Sequence, residues 1–153
     1  MNGRQNTEVK VTETEPPSQD VGAQDDIELR LGASLVHLPI IRSVAANIAM
    51  RADFDLDAIA DLRLAVDEAC STLITRAVPG TTMVCRFTID DDELRFSGAV
   101  TSADHEAPST ASFGWRVLTT LADSADSWVE TAARDGQGHW VHVELAKRKP
   151  TLT

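Results

Sequence analysis

The spacing of apolar residues changes several times along the chain, and each change predicts a new element of secondary structure. Residues 27–33 alternate between apolar and polar side chains, which predicts a first strand. From Ser34 the apolar residues recur at spacings of three and four as far as Ile48, which predicts a helix. Ser34 is expected to cap this helix, and Pro39 would lie late in its first turn.

A second apolar stripe predicts a longer helix over residues 56–77. The acidic segment 53–57 interrupts the first helix and supplies side chains that cap the second. The apolar stripe of the second helix is formed by Ile59, Leu62, Val66, Ala69 and Leu73. The helix is expected to end before the turn signal Pro79-Gly80.

The remaining pattern predicts two hairpins separated by a short helix. The expected strands are 82–89, 93–101, 125–132 and 139–146, and the helix is 113–122 with Val117, Leu118 and Leu121 buried. The element order is β-α-α-β-β-α-β-β. Strands joined mostly by hairpins, with the helices in two groups, predict an α+β two-layer sandwich.

Composition divides the chain into a tail and one domain. Residues 1–26 are rich in polar and acidic side chains and contain Pro16-Pro17, so they bury too little apolar surface to order. The chain of 153 residues is long enough for one domain, expected over residues 27–149, and too short for two ordinary ones.

The formal net charge of −10 restricts the class of partner. An acidic surface repels phosphate backbones, which argues against nucleic acid and favours a basic protein surface. The sequence has no apolar run long enough to span a bilayer and no apolar signal core, so we expect a cytoplasmic protein. Cys70 and Cys85 fit buried, reduced thiols better than a disulfide framework.

Segment 64–70, Leu-Ala-Val-Asp-Glu-Ala-Cys, carries the most informative chemistry. The apolar stripe places Val66 and Ala69 inward, so Glu68 lies near the edge of the buried face. From the residues alone, Glu68 is interpreted as a solvated helix carboxylate that pairs with Arg63 or Thr72.

This segment resembles the N-box helix of bacterial anti-sigma factors of the RsbW and SpoIIAB type. They belong to the GHKL group of ATP-binding folds, with histidine kinases, gyrase B and Hsp90. Segment 112–123, Ser-Phe-Gly-Trp-Arg-Val-Leu-Thr-Thr-Leu-Ala-Asp, is similar to the glycine-rich box of the family and the helix after it. The resemblance extends over residues 27–147, and the actinobacterial anti-sigma-F proteins look most similar. It implies helices on one face of a mixed, mostly antiparallel sheet.

The resemblance also implies a function. Family members sequester an alternative sigma factor, of the stress-related sigma-F or sigma-B type, from RNA polymerase. An anti-anti-sigma protein with a STAS fold antagonises them, and many act as homodimers, with the first strand near the dimer interface. Many also use ATP to phosphorylate a serine or threonine of the STAS partner. An active protein-serine/threonine kinase is therefore the alternative to a purely sequestering anti-sigma factor.

The family's nucleotide residues carry over only in part. Glu68 matches the glutamate that acts as general base toward the partner's hydroxyl. Thr72 stands where the family has an asparagine that ligates Mg²⁺, and Arg76 stands where it has a histidine. The adenine-binding aspartate box is not recognisable after residue 96, and Asp104 is a displaced candidate. Gly114 remains of the second glycine box, so the resemblance implies a retained fold with weakened ATP and Mg²⁺ binding.

Other reactive or bulky side chains are expected to be structural. His139 and His142 are three apart in a predicted strand and so lie on opposite faces, which excludes a shared metal. His37 and His105 have no partner along the sequence. The three tryptophans, Trp115, Trp128 and Trp140, are expected to be core or half-buried packing residues.

Overall fold

The computed structural model describes residues 26–131 and 138–150 of the chain. The strands are β1 (Asp26–Gly32), β2 (Thr82–Ile89), β3 (Glu93–Ser102), β4 (Ser124–Thr131) and β5 (His139–Arg148). The α-helices are α1 (Leu38–Arg51), α2 (Leu56–Arg76) and α3 (Phe113–Leu121), and a short 3-10 helix precedes α1. The element order predicted from the sequence is confirmed. The tail predicted for residues 1–26 lies outside the described residues, apart from Asp26, and so does Ala132 at the predicted end of β4.

The five strands form one sheet in the order β1-β2-β3-β5-β4. All four pairs of neighbouring strands are antiparallel, so the sheet is not mixed within the described residues. Strands β3 and β4 do run parallel to each other, because both are antiparallel to β5. They are not neighbours, since β5 lies between them and pairs with both.

The helices cover one face of this sheet and enclose the core. The α2 helix packs against α1, α3, β3 and β5, so it is the central helix of the layer. The largest fully buried side chains come from both layers: Ile41, Leu62, Val66, Leu73, Met83, Phe87, Leu94, Phe96, Val100, Leu118, Val141 and Leu145. An ion pair between Arg42 Nε and Asp67 Oδ1, 3.2 Å apart, joins α1 to α2.

A glycine on β3 sets how closely α2 approaches the sheet. Gly98 points toward the helices, and a Cβ there would lie 2.8 Å from Leu73 Cδ1 and 3.3 Å from Phe96 Cζ. No Cβ atom is found that close to another carbon, so only glycine lets Leu73 pack at this depth. This contact fixes the height of α2, which carries the motif at residues 64–70.

The start of α1 differs from the prediction. Ser34 does act as a cap, but of the 3-10 helix Leu35–His37, where its Oγ accepts a hydrogen bond from the Val36 amide at 3.3 Å. The α-helix begins at Leu38, with Pro39 in its first turn, where a missing N–H costs no helical hydrogen bond. Leu35, which the apolar stripe included, is therefore half exposed.

The other two helices begin at the residues predicted from the sequence, Leu56 and Phe113, and each follows a capping side chain. Asp55 caps α2, where its Oδ1 accepts from the Ala58 amide at 2.8 Å. Ser112 caps α3 in the same way through the Trp115 amide, at 3.1 Å. The buried side of α3 is narrower than expected, because Leu118 is buried whereas Val117 and Leu121 are only partly covered.

None of the helices in the part of the chain that the structure describes is long and apolar enough to cross a membrane.

Candidate functional site

Three side chains of the central helix lie in one row that follows its axis. Glu68, Thr72 and Arg76 are spaced by four residues, so they occupy the same face of α2 on successive turns. All three are partly buried. Glu68 contacts the start of α3, and Arg76 contacts the connection between β3 and α3. These contacts define the candidate site.

Glu68, the first side chain of the row, contacts Gly114 at the start of α3. A Cβ at Gly114 would lie 2.3 Å from Glu68 Oε2 and 3.2 Å from its carboxyl carbon. The carboxylate therefore occupies the space that any other residue at position 114 would fill. The two segments that carry the family resemblance are thus in contact where Glu68 packs against Gly114.

Within the row, Thr72 hydrogen-bonds to the same carboxylate. Its Oγ1 donates to Glu68 Oε2 at 3.4 Å, which is long for a hydroxyl donor. Of the two partners predicted from the sequence, Thr72 is therefore confirmed. The ion pairs found among the described residues do not include one between Glu68 and Arg63.

Arg76, the last side chain of the row, hydrogen-bonds to the connection between β3 and α3. Arg76 Nη2 donates to the backbone carbonyl of Glu106 at 2.6 Å. Its Nε is buried without a hydrogen-bond partner in the described part of the chain. Because a guanidinium keeps its charge, this hydrogen bond is of the strong, charge-assisted kind. The connection is thus joined to α2 at Glu106, and the helix that follows it contacts α2 at Gly114.

Asp104 makes local contacts at the start of the same connection. Its Oδ1 accepts a hydrogen bond from the Glu106 amide at 3.0 Å, and its own amide donates to Ser102 Oγ at 3.1 Å. This is an Asx turn, in which an aspartate side chain replaces a backbone acceptor. Asp104 is exposed, and its hydrogen bonds are to Ser102 and Glu106 rather than to α2.

Comparison with known proteins places this site in a family. Residues 31–149 match the model of the histidine kinase-like ATPase domain. The chain is also 35% identical over 125 residues to the anti-sigma-F factor RsbW of two Mycobacterium tuberculosis strains, CDC 1551 and H37Rv. The match covers 80% of this chain and 73% of each relative.

The chain belongs to the histidine kinase-like ATPase family and, within it, to the RsbW-type anti-sigma factors. A solved structure agrees on the fold. It contains the RsbU and RsbW domains of a Mycobacterium tuberculosis protein and superposes with a TM-score of 0.53 at 13% identity. That match covers 84% of this chain and 34% of the other. The α+β sandwich of the GHKL type predicted from the sequence is confirmed.

The residues of this anti-sigma factor do not fit Mg²⁺-ATP as they stand. Mg²⁺ prefers carboxylate, phosphate and water oxygens in octahedral geometry. Thr72 offers a short hydroxyl that already donates to Glu68. One carboxylate oxygen of Asp104 is engaged by the Glu106 amide, and the approach to Gly114 is taken by Glu68. We therefore derive no phosphoryl-transfer step from this arrangement.

Two contacts of α2 were not predicted from the sequence. One is the packing of Leu73 against Gly98, and the other is the hydrogen bond between Arg76 and the Glu106 carbonyl. Gly98 had a signal, because a glycine on the inward face of an alternating strand often marks close approach of another element. No feature of the sequence signalled the contact of Arg76, since its acceptor is a backbone carbonyl 30 residues away. Side-chain identity along a sequence carries no information about such an acceptor.

The cysteines are buried and free, as predicted. Hydrogen bonding with Cys85 and burial raise the pKa of the Cys70 thiol well above its ordinary value. A raised pKa leaves little of the reactive thiolate at neutral pH. Both side chains are therefore core residues in the reduced protein.

His139 and His142 lie on opposite faces of β5, as their spacing of three residues predicts. His142 hydrogen-bonds to Glu130 on one face, whereas the ring of His139 lies 5.7 Å from that of His105 on the other. The sequence did not predict the neighbour of His105. In the described part of the chain, no group of three or more His, Cys, Asp or Glu residues is placed to hold a metal ion.

Proposed function

We propose that this RsbW-type protein sequesters an alternative sigma factor of the sigma-F or sigma-B stress type from RNA polymerase in the cytoplasm. The similarity to the anti-sigma-F factor RsbW over 80% of the chain carries this proposal. The net charge of −10 supports it, because sigma factors bind DNA and expose basic surface. Release of the sigma factor follows when a STAS anti-anti-sigma protein competes for the same molecule.

The test is retention of the cognate sigma factor by the purified full-length protein. We expect the alternative sigma factor to be retained in a pull-down and its promoter-specific transcription to be inhibited in vitro. Adding the cognate STAS protein is expected to restore transcription. The housekeeping sigma factor serves as the control client and is expected neither to bind nor to lose activity. Failure of both retention and inhibition would overturn the proposal.

We further propose that the functional unit is a homodimer with β1 near its interface. The β1 strand pairs with β2 alone among the described residues, so its second edge is open. A groove lined by the apolar Ile27, Val44 and Ile48 and by the polar Ser43, Asn47 and Arg51 lies beside it. Open strand edges and apolar grooves are surfaces that a second copy can cover. Sedimentation equilibrium measures the mass, and a monomer at all concentrations would contradict the dimer.

Sequestering a sigma factor does not require turnover of ATP. The substitution Thr72→Asn tests whether the residue at position 72 weakens the binding of ATP with Mg²⁺. We expect wild type to bind ATP with Mg²⁺ at least about tenfold more weakly than Thr72→Asn in isothermal titration calorimetry. An amide oxygen reaches further than a hydroxyl and adds one contact to a charged group. Such a contact contributes about 1.5–3 kcal/mol, or roughly a ten- to hundredfold change in affinity.

Thr75→Asn is the control for this measurement, because Thr75 lies one turn on and is exposed to solvent. It is expected to leave ATP binding unchanged. Equal and tight binding by wild type and Thr72→Asn would mean that the hydroxyl suffices. The kinase alternative, with Glu68 as general base, would then be tested by phosphate transfer to the STAS partner and its loss in Glu68→Gln.

A further inference from the structure

Two tryptophans lie on the face of the sheet that the helices do not cover. Along β5, Val141, Val143 and Leu145 point into the core, so Trp140 and His142 point the other way. The register pairs Trp128 of β4 with His142. These three side chains, Trp128, Trp140 and His142, form the aromatic patch.

Two members of the aromatic patch, Trp128 and His142, contact each other, and His142 also contacts Glu130. The rings of Trp128 and His142 stack with centroids 4.8 Å apart and an interplanar angle of 6°. His142 Nε2 lies 2.7 Å from Glu130 Oε1 and donates a hydrogen bond to this carboxylate when Nε2 carries the proton. Stacking uses one face of the Trp128 ring, and 36% of the residue remains exposed, as does 36% of Trp140. The patch is thus a preformed platform whose aromatic surface is open to solvent.

The aromatic patch borders an open edge of the sheet. Strand β4 is the last in the order β1-β2-β3-β5-β4, and within the described residues it pairs with β5 alone. Every strand presents hydrogen-bonding groups on two edges, so one row of β4 backbone N–H and C=O groups has no strand partner. Such an edge accepts an extended peptide as an additional strand, and the side chains beside it select the sequence.

The charge of this region is acidic and unbalanced. Strand β4, Ser-Ala-Asp-Ser-Trp-Val-Glu-Thr, contains Asp126 and Glu130 and no lysine or arginine. Among the described residues, neither acid forms an ion pair with a lysine or arginine. At the other side of the same sheet face, acids are neutralised: Asp26 pairs with Arg86, and Glu93 and Glu144 pair with Arg95. On the described part of this face of the sheet, the acids without a lysine or arginine partner are Asp126 and Glu130, at the edge that carries the aromatic patch.

We propose that an extended, arginine- or lysine-bearing segment of a partner protein adds to the sheet along β4. Its backbone pairs with the open edge, and its basic side chains lie over Trp128 and beside Asp126 and Glu130. The face of a tryptophan ring attracts a cation, most strongly when nearby carboxylates are also present. The helical layer, which carries Glu68 and Gly114, is on the opposite face of the sheet. The proposal therefore concerns a surface separate from the candidate site at Glu68 and Gly114.

The probe for this surface is a synthetic peptide of eight residues in which arginine and threonine alternate, with blocked ends. We expect it to bind the full-length protein with a Kd below about 1 mM. Amide chemical shifts of residues 124–131 should change on binding, and their hydrogen exchange should slow. A peptide with proline at its two central threonine positions cannot donate those backbone hydrogen bonds. It is expected to bind at least about fivefold more weakly, since it loses backbone hydrogen bonds of roughly 1 kcal/mol each.

Matched variants distinguish binding of the peptide at β4 from general electrostatic attraction of a basic peptide to an acidic protein. Trp128→Ala is expected to weaken the binding of the arginine peptide about three- to tenfold, and Phe113→Ala, which removes an exposed aromatic ring from α3, to leave it unchanged. Glu130→Gln is expected to weaken binding, whereas Asp91→Asn, which removes one charge in the β2–β3 turn, is not.

Three results would overturn the proposal. One is no binding up to about 1 mM peptide, and another is chemical-shift changes confined to the helices. The third is equal weakening by Glu130→Gln and Asp91→Asn, which would reduce the interaction to long-range attraction. Inhibition of the sigma factor is measured separately, so loss of peptide binding in Trp128→Ala with full inhibition would leave the proposed function standing.

Discussion

Replacing Phe96 by alanine is expected to lower the free energy of unfolding by about 3–5 kcal/mol. Phe96 is completely buried on the inner face of β3. Its ring lies 5.1 Å from that of Phe87, tilted by 55°, which is a favourable aromatic arrangement. Truncation removes this contact and leaves a cavity under α2 that the close-packed core cannot fill. Urea unfolding followed by circular dichroism measures the change.

Phe113→Ala is the matched control, because it makes the same substitution at a ring that is 80% exposed. Its effect is expected to stay within about 0.5 kcal/mol. Because native domains are stable by only about 5–15 kcal/mol, Phe96→Ala can leave a large unfolded fraction. Phe96→Leu conserves more volume and is expected to cost less than about 1.5 kcal/mol, so it keeps the site measurable. Similar losses for Phe96→Ala and Phe113→Ala would contradict this account of the core.

The order and type of the elements could be predicted because hydrophobic period carries that information directly. The alternation in β5 also fixes which side chains point outward, since Val141, Val143 and Leu145 define the buried face. In β4 the pattern is ambiguous, because Trp128 and Val129 are adjacent and must lie on opposite faces. A shift of one residue exchanges those faces, so the sequence alone does not place Trp128 on the open side.

The candidate site could be predicted only as two separate segments. The resemblance assigned Glu68 to a helix and Gly114 to a glycine box, but their contact depends on how α3 docks on α2. That docking is a tertiary property, set by core packing rather than by local propensity. The contact between Arg76 and the Glu106 carbonyl is of the same kind. Helix starts were more reliable, because Asp55 and Ser112 act on amides within three residues.

The start of α1 shows how a correct local rule can give a wrong boundary. Ser34 caps and Pro39 lies in a first turn, as expected, but two different helical segments meet there. A proline ring disfavours the α conformation of the residue before it, yet Leu38 begins the helix. The apolar stripe extended through both segments, and nothing in its period marked the change from 3-10 to α geometry.

Gly98→Ala is the second substitution for which we expect a large loss, about 1–3 kcal/mol of unfolding free energy. The added Cβ would lie 2.8 Å from Leu73 Cδ1 and 3.3 Å from Phe96 Cζ. Both neighbours are fully buried, so neither side chain can rotate into solvent to relieve the overlap. Gly114→Ala presents a shorter distance, but Glu68 is a flexible side chain at the edge of the core and can move. We therefore expect Gly98→Ala to be the more destabilising of the two.

Gly32→Ala provides the control, since Gly32 is an exposed strand residue whose Cβ would meet only His37, at 3.8 Å. It is expected to be neutral, or stabilising by up to about 1 kcal/mol, because alanine lowers the entropy of the unfolded chain. Leu73→Val removes the methyl group that the new Cβ would strike. The double variant Gly98→Ala/Leu73→Val should therefore be more stable than the sum of the single losses predicts. Strict additivity would show that the helix does not approach β3 through this pair, and the packing assigned to α2 would then be wrong.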